Sequence, residues 1–201
     1  MAGVRDRVAV VTGAANGLGR EIALVLAREG ARLALGDLAA GGLDHTAAAI
    51  KSAGGSTISV VGDLTEEEPA KRLIDTAVAE FGRLDILIND VGGSRNARIW
   101  EMTVEDWDFV LRLNLRSTFL CTRAAVPHMM RRRYGRIEIA EDEASAFPGQ
   151  DLRDLAAETV GRSRHHRHAV LHAGHARPPR SDVRCSARNS SRILLFCALS
   201  P

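Results

Sequence analysis

Eight consecutive residues, Thr12-Gly13-Ala14-Ala15-Asn16-Gly17-Leu18-Gly19, set three glycines between an apolar run and a helical pattern. That arrangement suits a diphosphate grip. Gly13 permits a tight turn, Gly17 lets backbone approach a pyrophosphate with no Cβ in the way, and Gly19 lets the following helix pack closely. The helix's first N–H groups and its dipole then face the anion. A glycine-rich turn also serves ordinary loops, so its context decides: a strand must precede it and a helix must follow. Asp37 stands about 20 residues further on, where a carboxylate accepts hydrogen bonds from adenosine ribose hydroxyls; Leu38 beside it is counted with the same site. A 2′-phosphate there would meet like charge. Asn16, just before Gly17, is neutral and offers that phosphate no cation. The cofactor expected from these residues is NAD rather than NADP.

The elements that must position these groups are legible from periodicity. Residues 7–12 (RVAVVT) read as a buried parallel strand, and Leu18, Ile22, Val25 and Leu26 recur at helical spacing until Gly30. A second strand runs from Ala31 to Leu35 and ends at Gly36-Asp37. A helix over 43–53 ends at Gly54-Gly55, and a third strand covers Ser56 to Val61. Thr65 with Glu68 three residues on predicts a capping box for a helix bearing Leu73, Ile74, Ala77, Val78 and Phe81. Asp85 to Asn89 is a fourth strand. Thr103 and Asp106 open another helix, whose periodicity continues through Trp107, Val110, Leu111 and Leu115. A further helix spans about 118–131, and Gly135 to Ala140 forms a fifth strand. Strands alternating with helices at this spacing mean βαβ units and a parallel sheet. The fold expected is a Rossmann-like, doubly wound α/β sheet in three layers, incomplete after the fifth strand.

The spacing TGAANGLG, followed in order by Asp63-Leu64, Asn89-Asp90-Val91-Gly92 and Asn114 within LRLNLRSTF, resembles the short-chain dehydrogenase/reductase family over about residues 5–140. The resemblance implies that Asp63 and Leu64 lie against adenine. It implies that Asn89, Val91 and Gly92 line the cofactor pocket, and that Thr12, Asn16 and Leu18 belong to the glycine loop. It gives Asn114 the family's structural and catalytic Asn role, holding a water in a proton relay. The activity implied is hydride transfer between nicotinamide and an alcohol or ketone. A homo-oligomer formed through the family's helix interface is likewise implied.

The chain departs from that pattern where proton transfer is done. A phenol titrating near pH 10 needs a nearby cation to work at neutral pH. The sole tyrosine, Tyr134, precedes the fifth strand, whereas the family's catalytic Tyr follows it. Position 138 holds Glu, and no lysine follows Lys71. The Tyr-x-x-x-Lys pair is absent, and Glu141 and Asp142 stand where the family's Ser ends the fifth strand, with Ser145 the nearest substitute. Tyr134 reads as a packing or capping residue at a helix end.

Two domains are expected: residues 1–140 for NAD binding, and residues 141–201 as a divergent, basic tail of poor order. Residues 161–201 hold five histidines and eight arginines without amphipathic period until Ile193 to Leu199. His165-His166-Arg167-His168 lacks an i, i+4 pair or a carboxylate partner, so no metal site is expected. The abrupt change of composition reads as out-of-frame translation of a GC-rich gene. A catalytically inactive dinucleotide-binding module, or a truncated or frameshifted product, therefore stands beside the oxidoreductase reading. A net charge of +2 gives no argument for nucleic acid, and three cysteines at wide spacing give no disulfide framework. No run of about 18 apolar residues predicts a membrane span. The N-terminal residues lack a leader's apolar segment, and a cytoplasmic location is the expectation.

Overall fold

The computed structural model describes residues 3–140, 183–185 and 197–199. Five parallel strands form one sheet: β1 (Val8–Thr12), β2 (Arg32–Asp37), β3 (Thr57–Val61), β4 (Ile86–Asn89) and β5 (Arg136–Ile139), in the order β3-β2-β1-β4-β5. Register is continuous, with Val10 opposite Ala34 on one side and Leu87 on the other. The central strand β1 is buried along its whole length, as a β-branched run enclosed on both faces must be. Among the described residues, β5 is an edge of this sheet. Residues 183–185 and 197–199 pair antiparallel as β6 (Val183–Cys185) and β7 (Cys197–Leu199). The histidine cluster at 165–175 and the acidic stretch at 141–143 lie outside the described residues.

The sheet is covered on both faces. On one, α1 (Gly17–Arg28) and α2 (Ala40–Ser52) bury Ile22, Leu26, Leu43 and Ile50 against Val11, Leu33 and Leu35. On the other, α3 (Glu67–Phe81) and α5 (Ser117–Arg132) bury Leu73, Ile74, Ala125 and Met129 against Val10, Ala34 and Leu87. At about 1.5–3 kcal/mol for each fully buried large aliphatic side chain, these two clusters hold the layers together. This is the doubly wound arrangement that the alternation of elements predicts.

Two local expectations are corrected. The capping box of Thr65 and Glu68 does not form: α3 begins at Glu67 with Glu66 as N-cap and no side-chain cap. The Thr65 hydroxyl donates to Asp63 Oδ1 at 2.7 Å and accepts from Arg112 Nε at 3.0 Å, so longer-range partners have claimed it. The helix expected from residue 43 begins at Ala40, a turn earlier, because the Asp37 carboxylate accepts the Ala39 N–H and turns the chain directly into α2. The helix read through Leu115 forms, in two parts. It covers α4 (Val104–Leu111) and a π-helical turn, Arg112–Arg116, with no buried residue in either. The Thr103 cap forms as expected, its hydroxyl accepting from Asp106 N at 3.1 Å.

Candidate functional site

The glycine turn leaves β1 at the C-terminal edge of the sheet, where doubly wound folds bind ligands. Gly13 has φ +67°, a left-handed conformation, and a Cβ there would stand 2.8 Å from the carbonyl oxygen of Asp90. A Cβ on Gly19 would fall inside the Gly13 carbonyl and 2.6 Å from Asp90 Oδ2. The turn is therefore closed against the loop after β4. Thr12 locks the same contact from behind: its hydroxyl accepts the N–H groups of Asp90 at 3.0 Å and Val91 at 3.2 Å. Thr46, on α2, donates to Ala14 O at 2.9 Å and holds the turn from its other side.

A cavity of about 1590 Å³ opens in front of this turn. Its wall includes Gly13, Asn16, Gly17, Leu18, Asp37, Leu38, Asp63, Leu64, Asn89, Val91, Gly92 and Asn114. Of the residues predicted from sequence, Thr12 and Gly19 alone stand outside that wall, shaping the turn from behind. Helix α1 begins at this wall without a side-chain cap on Asn16 and without an acidic residue in its first turn. Its N-terminal N–H groups and positive dipole end face the cavity.

Asp37 ends β2 with both carboxylate oxygens engaged. Oδ2 accepts from Ala15 N at 3.0 Å and Oδ1 from Ala39 N at 2.9 Å. Each oxygen keeps a further lone pair for a hydroxyl donor. Asp63 is oriented by Thr65, whose N–H and hydroxyl both donate to Oδ1. These bonds, with Arg112 close by, hold the Asp63 carboxyl below its ordinary range.

The Asn114 amide is largely used by the protein. Its Nδ2 donates to Gly93 O at 2.7 Å and Val110 O at 2.8 Å, and its Oδ1 accepts from Gly93 N at 3.1 Å. Its main-chain carbonyl accepts from Thr118 Oγ1 at 2.9 Å. Asn114 thus pins the loop after β4 to the π turn, a device often found at functional sites. Asn89 is 3% exposed and its Oδ1 has no partner among the described residues, while Nδ2 donates to Thr122 at 3.4 Å. A buried acceptor without a partner is costly in isolation and suits a donor arriving from the cavity.

Tyr134 lies at the opposite edge of the sheet. Its ring stacks under Arg7, with the guanidinium 4.1 Å from the ring centroid, and Arg7 also reaches Asp85 beside the start of β1. That is the packing role read from sequence, far from the C-terminal strand ends. Neither Lys51, on the exposed end of α2, nor Lys71, paired with Asp75 on α3, contributes to the cavity wall. Asp90 is the site residue whose importance the sequence concealed. It was visible only as one member of the run Asn89-Asp90-Val91-Gly92, and its place beside Gly13 and Gly19 follows from β1 and β4 being neighbours.

The chain belongs to the short-chain dehydrogenase family: the family model described as short chain dehydrogenase matches residues 7–141. Relatives include a short-chain type dehydrogenase/reductase of Mycobacterium tuberculosis, 38% identical over 80% of this chain and 59% of its own length. The 3-oxoacyl-(acyl-carrier-protein) reductase FabG of Thermotoga maritima is 31% identical over 79% of this chain and 64% of its own. A crystal structure described as a short-chain dehydrogenase/reductase from Burkholderia xenovorans superposes with a TM-score of 0.66 and 33% identity, covering 80% of this chain and 66% of that one. The chain thus spans roughly three fifths of the length of these two curated relatives. No helix among the described residues is long and apolar enough to cross a membrane, and no cluster of metal-ligating side chains occurs among them.

Proposed function

We propose that this chain carries the NAD(H)-binding half of a short-chain dehydrogenase/reductase site acting on alcohols or ketones, and that its proton-transfer half is missing. The observation that carries the cofactor reading is the Asp37 carboxylate, held by Ala15 N–H at 3.0 Å so that its remaining lone pairs meet the adenosine ribose. Gly13, Gly17 and the open N-terminus of α1 would cradle the diphosphate, while Asp63 and Leu64 flank the adenine. Asn89, Val91 and Gly92 line the far part of the same cavity. NAD(H), when bound, supplies the hydride carrier. The protein's own share is binding, orientation and the proton on the substrate oxygen.

That last share finds no group among the described residues. Hydride transfer to or from an alcohol requires a proton to move, and a positioned acid or base contributes typically about 10²–10⁴-fold. Tyr134 sits at the wrong sheet edge, under Arg7. The two lysines occupy α2 and α3. The chain is therefore a dinucleotide binder of oxidoreductase descent with little or no turnover of its own, working in the cytoplasm. The test has two arms: fluorescence titration with NADH, and NAD reduction with alcohols or NADH oxidation with ketones. Saturable NADH binding with turnover at least a hundredfold below ordinary enzyme rates is expected. Turnover at ordinary rates, or no NADH binding, contradicts the proposal.

A further inference from the structure

The π turn Arg112–Arg116 touches two separate loops of the cavity. At its middle, Asn114 pins Gly93 in the loop after β4. At its ends, two arginines reach the loop after β3. Arg112 Nε donates to Thr65 Oγ1 at 3.0 Å and its Nη2 to Glu66 Oε1 at 2.7 Å, with Asp63 Oδ2 at 3.5 Å. Arg116 Nε donates to the Thr65 carbonyl at 2.8 Å. Thr65 itself is 5% exposed and completes the chain of bonds by donating to Asp63 Oδ1.

We propose that Arg112 and Arg116 are positioning residues that set base specificity at the adenine end of the pocket, acting through Thr65 to hold Asp63 Oδ2 toward an exocyclic amino group. The inference rests on the cofactor reading above and adds to it a source of specificity. Neither arginine lines the cavity. Arg116 acts on Asp63 by fixing Thr65, the residue that fixes it, and Arg112 does the same while also reaching Oδ2 at 3.5 Å. Arg112 is half-exposed, so its ion pairs with Asp63 and Glu66 contribute little stability. Its value lies in geometry. The guanidinium presents several donors in a rigid fork, and one donor on Thr65 and another on Glu66 leave a single orientation for the loop. Thr65 saturates Oδ1 with two donors, while Arg112 Nη2 reaches Oδ2 only at 3.5 Å, so Oδ2 is the carboxylate oxygen with room for a ligand. A carboxylate oxygen accepts only, so it welcomes the 6-amino group of adenine and repels a 6-carbonyl.

The test compares titration of the full chain with NADH and with reduced nicotinamide hypoxanthine dinucleotide, in which a carbonyl replaces that amino group. The wild type should favour NADH by about tenfold, the worth of one hydrogen bond to a charged group. Arg112→Met should lower NADH affinity by about the same factor and leave the hypoxanthine analogue nearly unchanged, so that the ratio falls toward one. Thr65→Val, which removes the receiving hydroxyl while both arginines remain, should give the same collapse and guards against misfolding of the arginine variant. Asp63→Asn should abolish or invert the preference. Equal weakening of both ligands in Arg112→Met and Thr65→Val, or a wild type that does not distinguish the two, overturns the proposal. A wild type that binds neither dinucleotide overturns the cofactor reading itself, an outcome with a different signature.

Discussion

The carboxylate of Asp37 accepts the backbone N–H of Ala15 at 3.0 Å, joining the end of β2 to the glycine turn across 22 residues of sequence. The contact means that the acid is part of the turn's own structure as well as a candidate ribose ligand. Asp37→Ala leaves Ala15 N and Ala39 N without their acceptor. A stability loss of about 1–2 kcal/mol is expected from urea denaturation, with NADH affinity falling by about tenfold or more in titration. An unchanged affinity would place the ribose elsewhere.

Asp90 puts a carboxylate oxygen against Gly19, beside the diphosphate cradle. Asp90 has a polar partner of its own, and the charge that this leaves opposes phosphates held at the proposed cradle. Asp90→Asn keeps the shape and removes the charge. It is expected to tighten NADH binding by about threefold to tenfold, with the gain shrinking as salt rises. Weaker binding in Asp90→Asn would show that the carboxylate assists rather than opposes the ligand.

Asp85 is fully buried, with Oδ2 accepting the Val8 N–H at 2.9 Å and Oδ1 paired with Arg7 and Arg83. It ties the starts of β1 and β4 at the edge remote from the cavity. Removing one partner of such a group strands the others. Asp85→Ala should cost about 3 kcal/mol and lower the thermal midpoint by about 10 °C. A calorimetric midpoint within about 2 °C of wild type would contradict this.

Cys121 is 1% exposed, and burial pushes its thiol up to about 12. The raised value means that the neutral thiol's contribution to stability is complete below the ordinary value of 9.0 and is lost as pH rises from there toward 12. The thiolate is the reactive form, so Cys121 should resist iodoacetamide at pH 8.5 in the folded chain and react in urea. Peptide mass spectrometry reads the difference. Rapid labelling of native protein would contradict the burial.

Much of this was legible in residue order. The β-branched run before Gly13 and the helical spacing after Leu18 announce strand, turn and helix, because period and turn chemistry are local properties. The place of Asp37 at the end of β2, on the cavity wall, was legible by its distance from the glycines. Thr65 was misread because its hydroxyl has two possible uses, a cap and a loop bond. Arg112, 47 residues away, decides between them. Trp107 and Leu115 were legible as helical positions, but periodicity records an apolar stripe without saying what covers it; both side chains are exposed here, 49% and 61%. The packing of Asp90 on Gly19 depends on which strands are neighbours, and a parallel crossover leaves no short-range trace of that.

We propose above all that this pocket takes NAD(H) and rejects NADP(H), since Asp37 would meet the 2′-position and Asn16 would offer no countercharge. The direct measurement is paired titration of NADH and NADPH against the wild type and against Asp37→Ser combined with Asn16→Arg. The account predicts a wild-type preference for NADH of about a hundredfold, the scale of two to three kcal/mol of like-charge repulsion and lost hydrogen bonds, and a reversed or abolished preference in the double variant. Equal wild-type affinities for the two cofactors, or a double variant that still prefers NADH, would contradict it.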